Sequence, residues 1–141
     1  MKYDDARWHY GGKYPEALSR QNAYTHAGMF LAWALVNDLG GELHRRDQAE
    51  ALASLRARRI SPGQYFSQYC DGKLTDEDLN ERGNAFACTY YENHYLQDYV
   101  STLAPALDSP YHVEDTWENF EKISRVITRR FDTWAADRHK H

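Results

Sequence analysis

Cysteine and long apolar runs are scarce in this sequence of 141 residues. Cys70 and Cys88 stand alone, in no Cys-x-x-Cys arrangement. Such cysteines are typical of buried thiols in a reducing compartment, and they fit neither a disulfide framework nor a zinc finger. No run approaches the roughly 20 apolar residues of a membrane span, and the first residues lack the apolar stretch of a secretory signal. These absences predict a cytoplasmic protein with no membrane partner.

Positive charge is also in deficit. The chain has 17 Lys and Arg against 21 Asp and Glu, for a net charge of −4. Nucleic-acid binding usually requires a basic patch, so no nucleic-acid partner is expected. The charge is unevenly distributed, because residues 71–121 contain two basic and twelve acidic residues. This acidic block predicts attraction to a basic partner.

Sequence motifs for common enzyme chemistries are missing. The chain has no GxSxG nucleophile elbow, no GxxxxGK[ST] phosphate loop, no GxGxxG and no HExxH. No catalytic residue, bound metal or cofactor is therefore predicted. A non-enzymatic binding protein is the expectation that follows.

Aromatic residues, in contrast, are abundant, with 11 Tyr, 5 Phe and 4 Trp. Tyrosine can bury its ring while its hydroxyl stays hydrogen-bonded, so it suits both polar-edged cores and binding surfaces. In residues 1–24 the rings follow neither the period of a strand nor that of a helix, and Gly11, Gly12 and Pro15 interrupt them. This segment is predicted to be an irregular aromatic arm that packs on the rest of the chain.

Helical patterns fill the remaining sequence, and no segment alternates as a strand. A nearly continuous apolar run over residues 26–36 predicts a buried helix that stops at Leu39, with Gly40 and Gly41 as its left-handed C-cap. Apolar residues from Trp117 to Trp134, at spacings of three and four, predict a long last helix. The sequence therefore predicts an all-α fold, a single compact domain of five to seven helices spanning residues 1–141. The residues expected to cap helix starts are Thr25, Asp47, Ser61, Thr75 and Thr116.

Tyrosines and carboxylates alternate through the acidic block. Together they could form a docking face, because charge steers the encounter and aromatic rings supply binding energy. The alternative is a solvated helix face whose tyrosines turn inward. The residues predicted to bind the partner are Tyr69, Asp71, Asp76, Glu77, Asp78, Glu81, Tyr91, Glu92, Tyr95 and Asp98.

Carboxylates and histidines elsewhere support a second hypothesis. Oxygen ligands suit Mg²⁺ or Ca²⁺ and imidazole suits transition metals, so these groups would form a binding pocket if they converged. Each also has a simpler structural interpretation, as a helix cap or a hydrogen-bonded core histidine. The residues of this alternative pocket are Asp4, Asp5, Trp8, His9, His26, His112, Glu114 and Asp115.

Five short segments of the sequence, in this order along the chain, resemble a family of small bacterial proteins of unknown function. The likeness extends over nearly the whole chain and implies no catalytic residues. Small acidic cytosolic proteins of this kind are similar to immunity proteins found beside toxins of polymorphic or type VI secretion systems. The segments are residues 3–12, which contain Tyr-Asp-Asp-Ala, Trp-His and Gly-Gly, and residues 25–33, 69–74, 83–87 and 111–117.

Two hypotheses about function therefore remain. The leading one is a cytoplasmic immunity protein that neutralises a cognate bacterial toxin with a basic surface through the acidic, tyrosine-rich face. The alternative is a small-molecule or metal-binding protein, or an enzyme, that uses the pocket of Asp, His, Glu and Trp. A further interpretation is a homo-oligomer, such as a homodimer, that uses the aromatic arm as its interface.

Overall fold

The computed structural model describes residues 1–139, which form seven α-helices and one small sheet. The predicted all-α fold of five to seven helices is confirmed. Among the described residues, no helix is both long enough and apolar enough to cross a membrane. The helices are α1 (Ala6–Tyr10), α2 (Thr25–Val36), α3 (Ala49–Arg56), α4 (Pro62–Cys70), α5 (Glu81–Tyr90), α6 (Leu96–Leu103) and α7 (Trp117–His139).

Short turns of other helical types connect these helices. Arg20–Tyr24, Asp76–Asp78 and Pro110–His112 are 3₁₀ turns. Leu43–Asp47 and Tyr91–Tyr95 are π-helical turns, and the second joins α5 to α6 in one continuous helical stretch. Each π-helical turn supplies a side chain to a buried polar cluster described below.

The sheet corrects the expectation that the first 24 residues are irregular and that no strand occurs. Strand β1 (Lys2–Asp5) pairs antiparallel with β2 (Lys73–Thr75), and Asp4 lies opposite Leu74. The strands have four and three residues, too few for an alternating pattern to stand out in the sequence. Asp5 then caps α1 by accepting a hydrogen bond from the backbone N–H of Arg7. The arm is thus held against the body of the protein at its first residues.

Helix α2 lies at the centre of the core. All its residues except the last are buried, and it packs mainly against α4 and α7. The close contact with α4 depends on Gly28, where a Cβ atom would lie 2.7 Å from the carbonyl oxygen of Pro62. On another side Phe30 contacts the rings of Tyr91 and Tyr95, with centroid distances of 5.0 and 5.4 Å. The predicted buried helix therefore lies at the centre of an aromatic core.

Two predicted helix caps are present. Ser61 forms a capping box with Gln64, in which the serine hydroxyl accepts from one backbone N–H and the glutamine oxygen accepts from another. Thr116 immediately precedes α7 and caps it, because its hydroxyl accepts from the backbone N–H of Asn119 at 3.1 Å. Thr75 also forms a capping box, although the structure it starts is the turn Asp76–Asp78, and Asn80 caps α5 instead.

Three other predicted boundaries are wrong. Thr25 does not cap α2, because the preceding 3₁₀ turn runs directly into the helix. Asp47 lies inside a π-helical turn, so it does not cap α3. Helix α2 ends at Val36, and Asp38 takes the left-handed conformation with φ of 61° that was expected at Gly40 and Gly41.

Candidate functional site

A buried carboxylate, Asp4, is the centre of the most connected polar cluster. Its Oδ1 accepts a hydrogen bond from Nε2 of His9 at 2.7 Å, and its Oδ2 accepts one from Nε2 of His26 at 3.0 Å. The hydroxyl of Tyr91 donates to the same Oδ2 at 2.5 Å. Burial acts to raise the pKa of Asp4, but the hydrogen bonds from His26, His9 and Tyr91 outweigh it. The pKa of Asp4 lies well below its usual range, so the carboxylate is ionised.

Four different elements bring these side chains together. Asp4 lies on β1, which pairing with β2 holds in place. The cap at Asp5 turns the chain into α1, and this turn places His9 next to Asp4. His26 lies in the first turn of α2, and Tyr91 begins the π-helical turn after α5. Single π-helical turns are common at functional sites.

Further hydrogen bonds hold the His9 ring and the backbone of His26. Nδ1 of His9 lies 2.7 Å from the hydroxyl of Tyr111, so both of its ring nitrogens have partners. The Tyr95 hydroxyl donates to the backbone carbonyl of His26. The two rings meet edge to face with centroids 4.4 Å apart. Tyr111 is not among the site residues predicted from the sequence, although it stands directly beside the predicted residue His112.

A cavity of about 150 Å³ adjoins the cluster. Asp4, His9 and His26 line it together with Glu92 and Leu96. One atom from each of the first three residues can serve as a metal ligand, and these atoms lie within 4.8 Å of one another. Two imidazoles and one carboxylate are a ligand set that transition metals use with open coordination positions. The cavity could hold a few water molecules or one small ligand.

Asp5 and Trp8, which were also predicted for this pocket, lie outside the cavity. Asp5 is buried but faces Lys2 and Arg7, with which it forms ion pairs of 2.8 and 3.3 Å. Burial acts to raise the pKa of Asp5, but the hydrogen bonds from these residues outweigh burial and lower the pKa to about 2. Trp8 is 57% exposed, and the ammonium group of Lys2 lies over its ring. Their place in the pocket is a wrong prediction.

The other three residues predicted for the pocket are also elsewhere. Nδ1 of His112 pairs with the hydroxyl of Ser109 at 2.7 Å, and Glu114 is exposed. Asp115 accepts hydrogen bonds from the Ser61 hydroxyl and from the backbone N–H of Gly63, at the start of α4. Burial raises the pKa of Asp115, and those hydrogen bonds only partly oppose it. Asp115 therefore stabilises a helix start.

The predicted docking face retains its exposed carboxylates. Tyr69 is 37% exposed at the end of α4, and five acidic residues are exposed. Glu77, Glu81 and Glu92 form no ion pair with the residues that the structure describes. The exposed acidic residues of this face are Asp71, Asp76, Glu77, Glu81 and Glu92.

Four residues of the predicted face are not available to a partner. Tyr91 and Tyr95 are buried in the aromatic cluster around Phe30, because their hydroxyls find hydrogen-bond acceptors inside the protein. Asp78 is 3% exposed. Asp98 is half-buried and forms a two-pronged ion pair with Arg130 on α7. The tyrosines turn inward, as in the alternative interpretation, so the tyrosine-rich part of the face is a wrong prediction.

A second buried cluster contains Asp78, and it is not among the sites predicted from the sequence. It joins Asp78 to His44 and Cys70, which come from three separate segments of the chain. No local pattern marks the partners of His44, because Cys70 and Asp78 lie 26 and 34 residues away along the chain.

Comparison with known proteins places the chain in a family. Residues 2–113 match the model of a family described as Domain of unknown function (DUF7832). The chain belongs to this family. The match confirms the resemblance to a family of unknown function. Both buried clusters lie within the part matched by the DUF7832 model, and α7 follows it. Searches of curated proteins and of solved structures gave no match.

Proposed function

We propose that this DUF7832 protein binds a divalent transition-metal ion through Asp4, His9 and His26 and offers it to a small ligand in the adjoining cavity. The observation that supports the proposal is the convergence of three metal-binding side chains, from three elements, at one buried point beside a cavity.

The spacing of the ligand atoms suits an ion after a small adjustment. Nitrogen and oxygen ligands of a tetrahedral zinc ion, each about 2.0–2.1 Å from the metal, lie about 3.3 Å apart. The two Nε2 atoms now lie 2.7 and 3.0 Å from the oxygens of Asp4. An outward shift of about half an ångström would admit the ion.

The hydrogen bonds around His9 fit metal binding. A ligating Nε2 must lose its proton, and the ring then carries its hydrogen on Nδ1. The Tyr111 hydroxyl, 2.7 Å from Nδ1 of His9, can accept that hydrogen. Partners of this type orient metal-binding histidines and increase their basicity.

The cavity would let the ion bind a ligand in addition to stabilising the fold. Three protein ligands leave at least one coordination position free, as in zinc sites that bind water or substrate. Because His9 and His26 line the cavity, such a position would be reached from it. The proposed activity is thus the capture of a small ligand with an oxygen or nitrogen donor atom.

Metal titration of matched variants tests this proposal. Isothermal titration calorimetry with Zn²⁺ is expected to lose one equivalent of binding in Asp4→Asn and in His9→Gln. His112→Gln is the control, because His112 is the same residue type, hydrogen-bonded to Ser109 away from the cavity. Circular dichroism verifies that each variant is folded. Unchanged stoichiometry in folded His9→Gln and Asp4→Asn would overturn the proposal.

The exposed acidic residues support a second candidate function. We propose, as this alternative, a non-enzymatic cytoplasmic immunity protein that occludes a toxin with a basic surface. The supporting observation is the set of exposed carboxylates that form no ion pair with the described residues, Glu77, Glu81 and Glu92. Unpaired surface charge of one sign accelerates association with a partner of the opposite sign.

Charge reversal distinguishes this candidate from the metal site. This candidate predicts that a neighbouring gene encodes a toxin, and that toxin is the partner to use. Lysine in place of Asp76, Glu77 and Glu81 is expected to slow association and weaken its salt dependence. A charge-matched control carries lysine in place of Glu16, Asp132 and Asp137, which are exposed elsewhere. Equal association rates for the two triple variants would contradict a role for the acidic face.

A further inference from the structure

His44, Cys70 and Asp78 form a compact buried cluster away from the Asp4 site. Nε2 of His44 lies 2.7 Å from Oδ1 of Asp78, and Sγ of Cys70 lies 3.8 Å from that oxygen and 4.0 Å from Nε2. His44 is fully buried, Asp78 is 3% exposed and Cys70 is half-buried. One nitrogen, one sulfur and one oxygen thus face a common point.

The second polar atom of His44 and that of Asp78 each form a hydrogen bond that fixes the side chain. Nδ1 of His44 lies 2.6 Å from the hydroxyl of Tyr65, which keeps Nε2 directed at the cluster. The second oxygen of Asp78 accepts from the backbone N–H of Thr75 at 2.8 Å, so that Oδ1 is left for the cluster. Supporting hydrogen bonds of this kind are a regular feature of metal centres.

The separations around sulfur match those of a tetrahedral zinc site. With zinc–sulfur and zinc–nitrogen bonds of about 2.3 and 2.0–2.1 Å, the sulfur and nitrogen ligands lie about 3.6 Å apart. The observed distances of 3.8 and 4.0 Å from Sγ are within a few tenths of this value. The hydrogen bond between His44 and Asp78 has to open, and the weak hydrogen bond that the Cys70 thiol donates to Asp78 is lost with its proton.

An unsatisfied polar atom occurs beside the cluster. Oε1 of Gln48 is buried and has no hydrogen-bond partner in the part of the chain that the structure describes, while its Nε2 donates to the carbonyl of Tyr69. Gln48, Cys70 and Asp78 line the same surface depression. A buried carbonyl oxygen without a partner is costly, and a metal-bound water in the depression would satisfy it.

We propose that His44, Cys70 and Asp78 bind one zinc ion as a structural centre. The ion would tie the π-helical turn Leu43–Asp47 to the end of α4 and to the turn Asp76–Asp78. Binding forms a sulfur–zinc bond and releases the Cys70 thiol proton to solvent, so affinity rises with pH. The depression supplies an entry path and a water as fourth ligand. This proposal is independent of the Asp4 site, which contains no sulfur.

Cobalt spectroscopy separates the two sites. Co²⁺ bound to a thiolate gives an intense charge-transfer band in the near ultraviolet, whereas Co²⁺ bound only to nitrogen and oxygen does not. We expect one equivalent of this band in the unchanged protein and in Asp4→Asn, and its loss in Cys70→Ser. Cys88→Ser is the matched control, because Cys88 is exposed on α5. Absence of the band in the unchanged protein, or its persistence in Cys70→Ser, would overturn the proposal.

An alkylation assay needs no variant and therefore no assumption about folding. Zinc at about 100 times its Kd leaves about 1% of the site free, so alkylation of Cys70 by iodoacetamide is expected to slow about 100-fold. Mass spectrometry of peptides reports Cys70 and Cys88 separately, and Cys88 serves as the internal control. Equal Cys70 rates with and without zinc, up to millimolar zinc, would show that no ion binds there.

Discussion

The indole N–H of Trp33 donates a hydrogen bond to the Thr128 hydroxyl at 3.0 Å, where α2 meets α7. Trp33 is 1% exposed, and Phe131 of α7 packs edge to face against its indole at a centroid distance of 5.5 Å. Helix α7 follows the region matched by the DUF7832 model, yet it closes one side of the most buried helix. In this chain the core therefore extends beyond the matched region.

Thr128→Val tests the contribution of this hydrogen bond. The substitution keeps the shape of the side chain and leaves a buried indole N–H without an acceptor. We expect the free energy of unfolding to fall by about 1–3 kcal/mol in urea denaturation. Thr133→Val is the control, since Thr133 is exposed on the same helix, and a change within about 0.5 kcal/mol is expected there. Equal effects of the two substitutions would argue against a role for the hydrogen bond.

Gly28→Ala is expected to destabilise the contact between α2 and α4. The new Cβ would lie 2.7 Å from the carbonyl oxygen of Pro62 and 3.1 Å from Cα of Gly63. Both atoms belong to the backbone, so relief requires the helices to move apart, at a cost of about 1–3 kcal/mol. Gly12→Ala is the control, because the nearest atom to its added Cβ is 3.7 Å away. Thermal unfolding of the two variants measures the difference, and a similar Tm for both would contradict the packing argument.

Features of the fold that depend on local chemistry could be predicted from the sequence. The capping box at Ser61 joins residues only three positions apart, and the apolar stripe of α7 is a local periodicity. The strands escaped prediction because pairing between Asp4 and Leu74 depends on contacts 70 residues apart along the chain. The prediction that Thr25 caps α2 is wrong because the 3₁₀ turn Arg20–Tyr24 runs directly into the helix. The chain is therefore already helical before Thr25, and no separate capping residue starts α2 there.

The candidate sites were predictable by residue type more than by position. Asp4, His9 and His26 were selected because their side chains can bind metals, but only the fold shows that they meet while His112 and Asp115 do not. The tyrosines of the acidic block were misplaced because composition does not reveal which face of a helix is buried. His44 carried no signal at all, since its partners lie 26 and 34 residues away.

Loss of the hydroxyl is expected to change the free energy of unfolding differently at Tyr95 and at Tyr99. The Tyr95 hydroxyl donates to the carbonyl of His26, so Tyr95→Phe leaves a buried acceptor unpaired and should lower the free energy of unfolding by about 1–2 kcal/mol. The Tyr99 hydroxyl is buried without a partner among residues 1–139, so Tyr99→Phe should be neutral or stabilising. Urea denaturation of both variants makes each the control for the other. Equal losses would mean that the hydroxyl of Tyr99 is satisfied.

Acid is expected to reveal the ionised state of Asp4. Its pKa lies below its usual range in the folded protein, because the hydrogen bonds from His26, His9 and Tyr91 outweigh burial. The folded state therefore binds the Asp4 proton more weakly than the unfolded chain, whose aspartates titrate near pH 3.9. The stabilisation is complete above about pH 5 and is lost as the pH falls through and below 4, toward the folded-state pKa. Each unit by which the pKa is lowered corresponds to about 1.4 kcal/mol of stability.

Asp4→Asn isolates this contribution when unfolding is measured in the presence of a chelator. The difference in free energy of unfolding between the unchanged protein and Asp4→Asn should be largest near pH 7 and should shrink steadily below about pH 4. Asp132→Asn, on the exposed face of α7, should give a difference that is small at every pH. A difference for Asp4→Asn that is independent of pH would mean that the carboxylate keeps the same pKa in the folded and unfolded states. The hydrogen bonds from His26, His9 and Tyr91 would then stabilise the ionised carboxylate no better than water does in the unfolded chain.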